Sequence, residues 1–152
     1  MGNKTYLVTG ASKGIGRSIA MRLAKDGIQI VLLARQSEEL EDACREVQSL
    51  SSSSFMIPCD LAQSDSIDAA IESFNGIDSI DGIVHNAGAI APIRSMFEAE
   101  TDAWERNIQV NITGVQRLTK GLYSKMKASE RCRVTTISSG AASVSYTHLT
   151  LP

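Results

Sequence analysis

Short apolar runs alternate along this chain with stripes at helical spacing. Tyr6-Leu7-Val8 is a brief apolar run ended by Gly10, the pattern of a buried strand. Ile15, Ile19 and Leu23 then recur at helical intervals until Gly27, a natural helix stop. Ile28 to Ala34 predicts a second buried strand. Leu40, Ala43, Val47 and Leu50 predict a second helix with Ser37 as its cap. The serines at 51–54 read as a polar connector. Phe55 to Cys59 predicts a third strand, and Ile67, Ala70, Ile71 and Phe74 a third helix. Ile80 to His85 predicts a fourth strand that closes on Asn86-Ala87-Gly88. One long helix is expected from about Thr101 to Met126, striped by Trp104, Ile108, Val115, Leu118, Leu122 and Met126, and Arg133 to Ser138 predicts a fifth strand.

Strands alternating with helices imply right-handed crossovers and a parallel sheet covered on both faces. The expected fold class is α/β: a Rossmann-type doubly wound parallel sheet, incomplete, with about five strands. The 152 residues suit one domain, and 43% hydrophobic with 21% charged residues is ordinary for a globular protein. A net charge of -2 gives no electrostatic reason to expect nucleic acid or an anionic membrane as partner. Cys44, Cys59 and Cys132 have neither metal-binding nor redox spacing, and the chain begins without an apolar leader, so no metal, no membrane and a cytoplasmic location are expected.

Candidate chemistry begins where the first strand meets the first helix. Thr9-Gly10-Ala11-Ser12-Lys13-Gly14-Ile15-Gly16 would let the backbone turn tightly and offer main-chain N–H groups to a pyrophosphate at a helix N-terminus. No Gly-Lys-Ser/Thr closes the turn, so it is not a P-loop. At the end of the second strand Ala34 stands where an acid would bond a ribose 2′-hydroxyl, and Arg35 follows at once. With Lys13 in the turn, this favours NADP over NAD. The competing reading of Arg35 is a solvated side chain paired with Glu38 or Glu39.

The glycine spacing, Asp60-Leu61 after the third strand, Asn86-Ala87-Gly88 after the fourth, Asn111 in the long helix and Ile137-Ser138-Ser139-Gly140 at the fifth together resemble the short-chain dehydrogenase/reductase family. The resemblance covers residues 1 to about 143. It implies an NADP-dependent oxidoreductase that moves a hydride between the cofactor and a small-molecule carbonyl or alcohol substrate. The alternative is a non-catalytic dinucleotide-binding or regulatory protein. The resemblance places Gly10, Ser12, Lys13, Gly14, Ile15, Gly16, Arg35, Asp60, Leu61, Asn86, Ala87 and Gly88 around the cofactor. Asp60 is expected to accept from the adenine amino group. It makes Asn111 and Ser139 catalytic, with Ser138 as the substitute for Ser139 and no role for Asn107. The segment 86–93 with Ser138 to Ala141 is similar to sepiapterin- or benzil-reductase-type members, and the 3-oxoacyl carrier-protein reductase group fits equally.

The family's proton donor is a tyrosine in Tyr-x-x-x-Lys, and downstream of Ser139 that pair is missing. The tyrosine there is Tyr146, followed four residues on by Thr150. Val144 to Pro152 resembles an in-frame translation of a transposon-end adaptor used for sequencing libraries. The expected division is therefore a cofactor-binding domain at 1–143 and a non-native tail at 144–152. The chain as written is expected to be inactive, its fifth strand an exposed edge, and the full-length form a homo-oligomer.

Overall fold

The computed structural model describes residues 4–90, 93, 95 and 97–139. Ala91, Pro92, Gly140, Ala141, Tyr146, Thr150 and the whole tail from Val144 lie outside the described residues.

Five parallel strands form one sheet: β1 (Thr5–Thr9), β2 (Gln29–Ala34), β3 (Phe55–Pro58), β4 (Gly82–His85) and β5 (Arg133–Thr136), in the order β3-β2-β1-β4-β5. Helices α1 (Gly14–Lys25), α2 (Glu38–Leu50) and α3 (Ser64–Glu72) join the first four strands. The expected α/β doubly wound architecture is present. Strand order reverses between β1 and β4, and in such sheets ligands bind in the crevice beyond the strand C-termini at that reversal.

Strand alternation feeds two apolar layers. Val8, Ile30, Leu32 and Val84 pack with Ala20 and Ala24 of α1 and with Leu40, Ala43 and Val47 of α2. Leu7, Val31, Leu33 and Ile83 face the opposite layer with Ile67 and Phe74 beside α3 and with Leu118 and Leu122. Ser37 caps α2, its side chain accepting from the Leu40 N–H.

Three sequence expectations are corrected. The buried positions of α1 are Gly16, Ala20 and Ala24, while Ile15 is exposed. A helix lying close on a sheet needs small residues at the contact, and the apolar stripe pointed to its large neighbours instead. In the serine connector, Ser51 and Ser54 are buried, and the Ser54 hydroxyl accepts the Ile30 N–H at 2.9 Å.

The single long helix is broken into α4 (Thr101–Ile108), a π-helical turn (Gln109–Thr113), α5 (Gly114–Gly121) and α6 (Tyr123–Ala128). A π turn inserts a residue and rotates the apolar stripe, so Trp104 and Ile108 are exposed while Leu118 and Leu122 are buried. Glycine lets the segment approach the sheet layer: a Cβ at Gly114 would stand 2.3 Å from the Leu61 carbonyl oxygen.

The third correction is the fifth strand, which ends at Thr136 rather than Ser138. It is hydrogen-bonded to β4 on one side, and all four of its residues are exposed. Among the described residues β5 is the last strand of the sheet.

Candidate functional site

A cleft of about 660 Å³ opens beyond the C-terminal ends of β1, β2, β3 and β4. That volume lies in the ordinary range for small-molecule sites. Its walls are the turn after β1 (Gly10, Ser12, Lys13), the end of β2 (Ala34, Arg35), the segment after β3 (Asp60, Leu61) and the segment after β4 (Asn86 to Ala89).

The turn is built by close contact. Gly10 has φ +64°, and a Cβ there would stand 2.9 Å from the Ala87 Cα. A Cβ on Gly16 would stand 2.3 Å from the Gly10 carbonyl oxygen and 2.4 Å from the Asn86 amide nitrogen. Only glycine lets the first turn of α1 sit on the end of β1. Asn86 completes the joint by donating its side-chain N–H groups to the Thr9 and Gly10 carbonyls at 3.1 and 3.2 Å. The N-cap of α1 is Lys13, and among the described residues no side chain caps the helix. First-turn N–H groups at a helix start, with the helix dipole behind them, favour an anion. Gly14 and Ile15 are exposed and lie outside the cleft lining, whereas Lys13 is exposed on it.

Thr9 opens the glycine turn in the sequence, but its role there was not legible. It is fully buried, and its hydroxyl oxygen accepts from the Asn86 and Ala87 N–H groups, each at 3.0 Å. That bond pattern locks the segment after β4 to the end of β1. Alternation along β1 was the available signal: Thr9 is a polar residue at a position of the face that also holds Leu7.

At β2, Ala34 is in place and Arg35 is exposed on the cleft wall. Among the described residues Arg35 forms no ion pair, so neither Glu38 nor Glu39 takes it. Glu39 also lines the cleft, its carboxyl held below the ordinary value by its own backbone N–H and by the Ser37 hydroxyl.

Asp60 is fastened on three sides. Its N–H donates to the Ser66 hydroxyl at 2.9 Å, one carboxylate oxygen accepts the Ala62 N–H at 2.9 Å, and the other accepts from Arg106 at 2.8 Å. Burial pushes its pKa up, but the Ala62 N–H and the Arg106 guanidinium outweigh that and leave it below the ordinary value. Arg106 is the second residue that escaped the sequence reading, because its partner lies 46 positions away.

Asn111 occupies the π turn. Its side chain grips the Ala89 backbone, accepting the N–H at 2.9 Å and donating to the carbonyl at 2.8 Å. It also donates to the Asn107 side-chain oxygen. Asn107, expected to have no role, is therefore half-buried support for Asn111. Gly88 lies beneath the same side chain, a Cβ there standing 3.4 Å from the Asn111 oxygen. Ser138 and Ser139 follow β5 and are exposed, outside the cleft lining.

One Tyr-x-x-x-Lys string does occur, at Tyr123 to Lys127, upstream of Ser139. Its helix α6 leads into the N-terminal end of β5, and the Lys125 carbonyl accepts the Ile80 N–H just before β4 begins. The cleft is at the other end of these strands. Tyr123 is exposed with the Lys127 ammonium 5.8 Å from its ring centre, a surface cation–π contact.

His85 ends β4 in a buried position. The Thr119 hydroxyl gives its proton to the Val115 carbonyl at 2.7 Å and stands 3.0 Å from His85 Nε2, which must then donate to it. Nδ1 is buried and has no partner among the described residues. Charging the ring would create an N–H with no acceptor, and burial accordingly pushes the His85 pKa below 6.5. The unfolded chain binds this proton more readily, so the stabilisation is complete above the ordinary histidine pKa and is lost as pH falls below 6.5. Urea midpoints at pH 7.5 and 5.5 (about one unit either side of the ordinary value) are expected to fall at the acid end. The fall should shrink in His85→Gln, and an equal fall in that variant would contradict the assignment.

Among the described residues no cluster of His, Cys, Asp or Glu could hold a metal, and no helix is long and apolar enough to cross a membrane.

Residues 4–151 match the family model described as short chain dehydrogenase. A fatty acyl-CoA reductase of Acinetobacter baylyi is 32% identical over 139 residues, covering 90% of this chain and 47% of that protein. A 3-oxoacyl-[acyl-carrier-protein] reductase of Staphylococcus epidermidis is 35% identical over 115 residues, covering 74% of this chain and 47% of that protein. The chain spans about half the length of the curated relatives it matches. Among solved structures, L-sorbose reductase from Gluconobacter frateurii, complexed with NADPH and L-sorbose, superposes with a TM-score of 0.81 at 30% identity over 90% of this chain and 52% of that one.

Proposed function

The chain belongs to the short-chain dehydrogenase family, and from that premise we propose that its cleft binds NADP(H) in the service of a carbonyl/alcohol oxidoreductase. The residues present fit a dinucleotide: an uncapped helix start for the diphosphate, a cleft of about 660 Å³, and cations beside the end of β2. The observation that carries the choice of NADP over NAD is the placement of Lys13 and Arg35 on the wall beside Ala34, where a carboxylate would exclude a 2′-phosphate. The NADPH held by the sorbose reductase gives independent support.

In this reading Gly10, Ser12, Lys13, Gly14, Ile15 and Gly16 present main-chain N–H groups and one ammonium to the diphosphate. Arg35 takes the 2′-phosphate. Asp60 and Leu61 meet the adenine, and Asn86, Ala87 and Gly88 form the floor beneath the sugar. When bound, the dinucleotide supplies or accepts the hydride. Asn111 keeps the Asn86–Ala89 segment in place, and Ser139, beyond β5, orients the substrate oxygen. A proton donor at that oxygen has to come from outside the residues described, since Tyr123 and Lys127 are at the far end of the sheet. Titrating the chain with NADPH and NADH by nicotinamide fluorescence is expected to give tighter binding of NADPH. Equal or tighter binding of NADH would overturn the NADP reading.

A further inference from the structure

Among the described residues the cleft lining holds one ion pair, and the dinucleotide reading leaves its cation without a role. Arg106 reaches from α4 to Asp60 on the segment after β3, Nη2 to Oδ2 at 2.8 Å, and both side chains line the cleft. Helix α4 buries none of its residues. Two of its side chains make contacts beside the cleft: Arg106 grips Asp60, and Asn107 accepts from Asn111 in the following π turn.

We infer that Arg106 is the positioning residue of the adenine end: it holds the Asp60 carboxylate aimed into the cleft, so that the site selects a purine with an amino group at C6 over one with a carbonyl there. The inference rests on the dinucleotide reading and goes beyond it by naming what sets base choice. The Ala62 N–H holds one carboxylate oxygen of Asp60 and Arg106 holds the other, so the carboxylate does not swing away as the base enters. Each carboxylate oxygen accepts more than one hydrogen bond, so both contacts leave acceptor capacity for an incoming amino group. A carboxylate facing a C6 carbonyl instead sets two acceptors against each other. The contact with Arg106 is a single hydrogen bond rather than a forked pair. The Asp60 carboxyl is held below its ordinary value partly by this guanidinium, in keeping with a carboxylate kept charged for its ligand.

The test compares two ligands that differ at one edge of the base. NADPH has an amino group at C6 and an acceptor at N1, and reduced nicotinamide hypoxanthine dinucleotide phosphate has a carbonyl at C6 and an N–H at N1. Binding is read by fluorescence titration of the whole chain, wild type and Arg106→Met, with Arg106→Lys as the conservative variant and circular dichroism melting as the check on folding. Wild type is expected to prefer NADPH. Arg106→Met should weaken NADPH about tenfold, as for loss of a hydrogen bond to a charged group, while the hypoxanthine ligand changes less than about twofold, so that the preference collapses. Arg106→Lys should restore part of it. If both ligands weaken equally, Arg106 merely braces α4 and the inference fails. It fails as well if Arg106→Met leaves the preference intact. Wild-type chain that binds neither ligand would defeat the dinucleotide reading itself, and the clamp with it.

Discussion

Gly16→Ala is expected to remove saturable binding of NADPH at concentrations that saturate the parent chain, and to lower stability by about 1–3 kcal/mol, as overpacking of a tight contact does. The added Cβ would stand 2.3 Å from the Gly10 carbonyl oxygen, and because the obstacle is main chain it cannot rotate aside. Helix α1 must therefore lift from the end of β1. Lifting it moves the N–H groups proposed to hold the diphosphate and strains the bonds from Asn86 to the Thr9 and Gly10 carbonyls. Gly76→Ala is the matched control, since a Cβ there meets nothing within 4 Å. Thermal melting and NADPH titration of both variants check the expectation. Unimpaired binding by Gly16→Ala would mean that the first turn of α1 does not touch the nucleotide.

Arg35→Ala is expected to weaken NADPH by roughly 10- to 150-fold, the loss of a hydrogen bond to a charged group worth about 1.5–3 kcal/mol. NADH, which has no 2′-phosphate, should bind the variant as it binds the parent. The magnitude follows from the state of the side chain: Arg35 is exposed on the cleft wall and in no ion pair among the described residues, so no existing bond offsets its gain. Glu39 on the same wall opposes a phosphate, which is why the cations decide the preference. Parallel titrations with both ligands measure the ratio. If the two affinities fall together, Arg35 acts on the shape of the turn and the 2′-phosphate assignment is wrong.

Much of the fold was legible because local chemistry and tertiary packing agree. Each of the first four strands is a run of Ile, Val, Leu or Phe beside a turn residue, and each predicted strand lies within a residue or two of its observed place. Ser37 before Glu38 and Glu39 is a cap in the sequence and in the structure. The glycine turn was readable because positive φ and close approach leave few alternatives to glycine. The interrupted helix was not readable. Its apolar residues keep a helical rhythm through Gln109–Thr113, and a period sampled over so few residues does not register one inserted position. In α1 the apolar stripe pointed to Ile15, while the sheet required Gly16, Ala20 and Ala24, which carry little hydrophobic signal.

The sequence by itself determined the alternation of strands and helices, the parallel sheet that alternation forces, the glycine turn after β1 and the absence of an acid at the end of β2. These follow from the identity of neighbouring residues, because side-chain volume, backbone freedom and period act over a few positions. Only the tertiary structure decided which groups meet: Thr9 with Asn86 and Ala87, Asn111 with Ala89, Arg106 with Asp60, and Tyr123 with Lys127 at the wrong end of the sheet for the cleft. Most of those pairings join elements brought together by crossovers, and a hydrogen bond senses separation in space rather than along the chain.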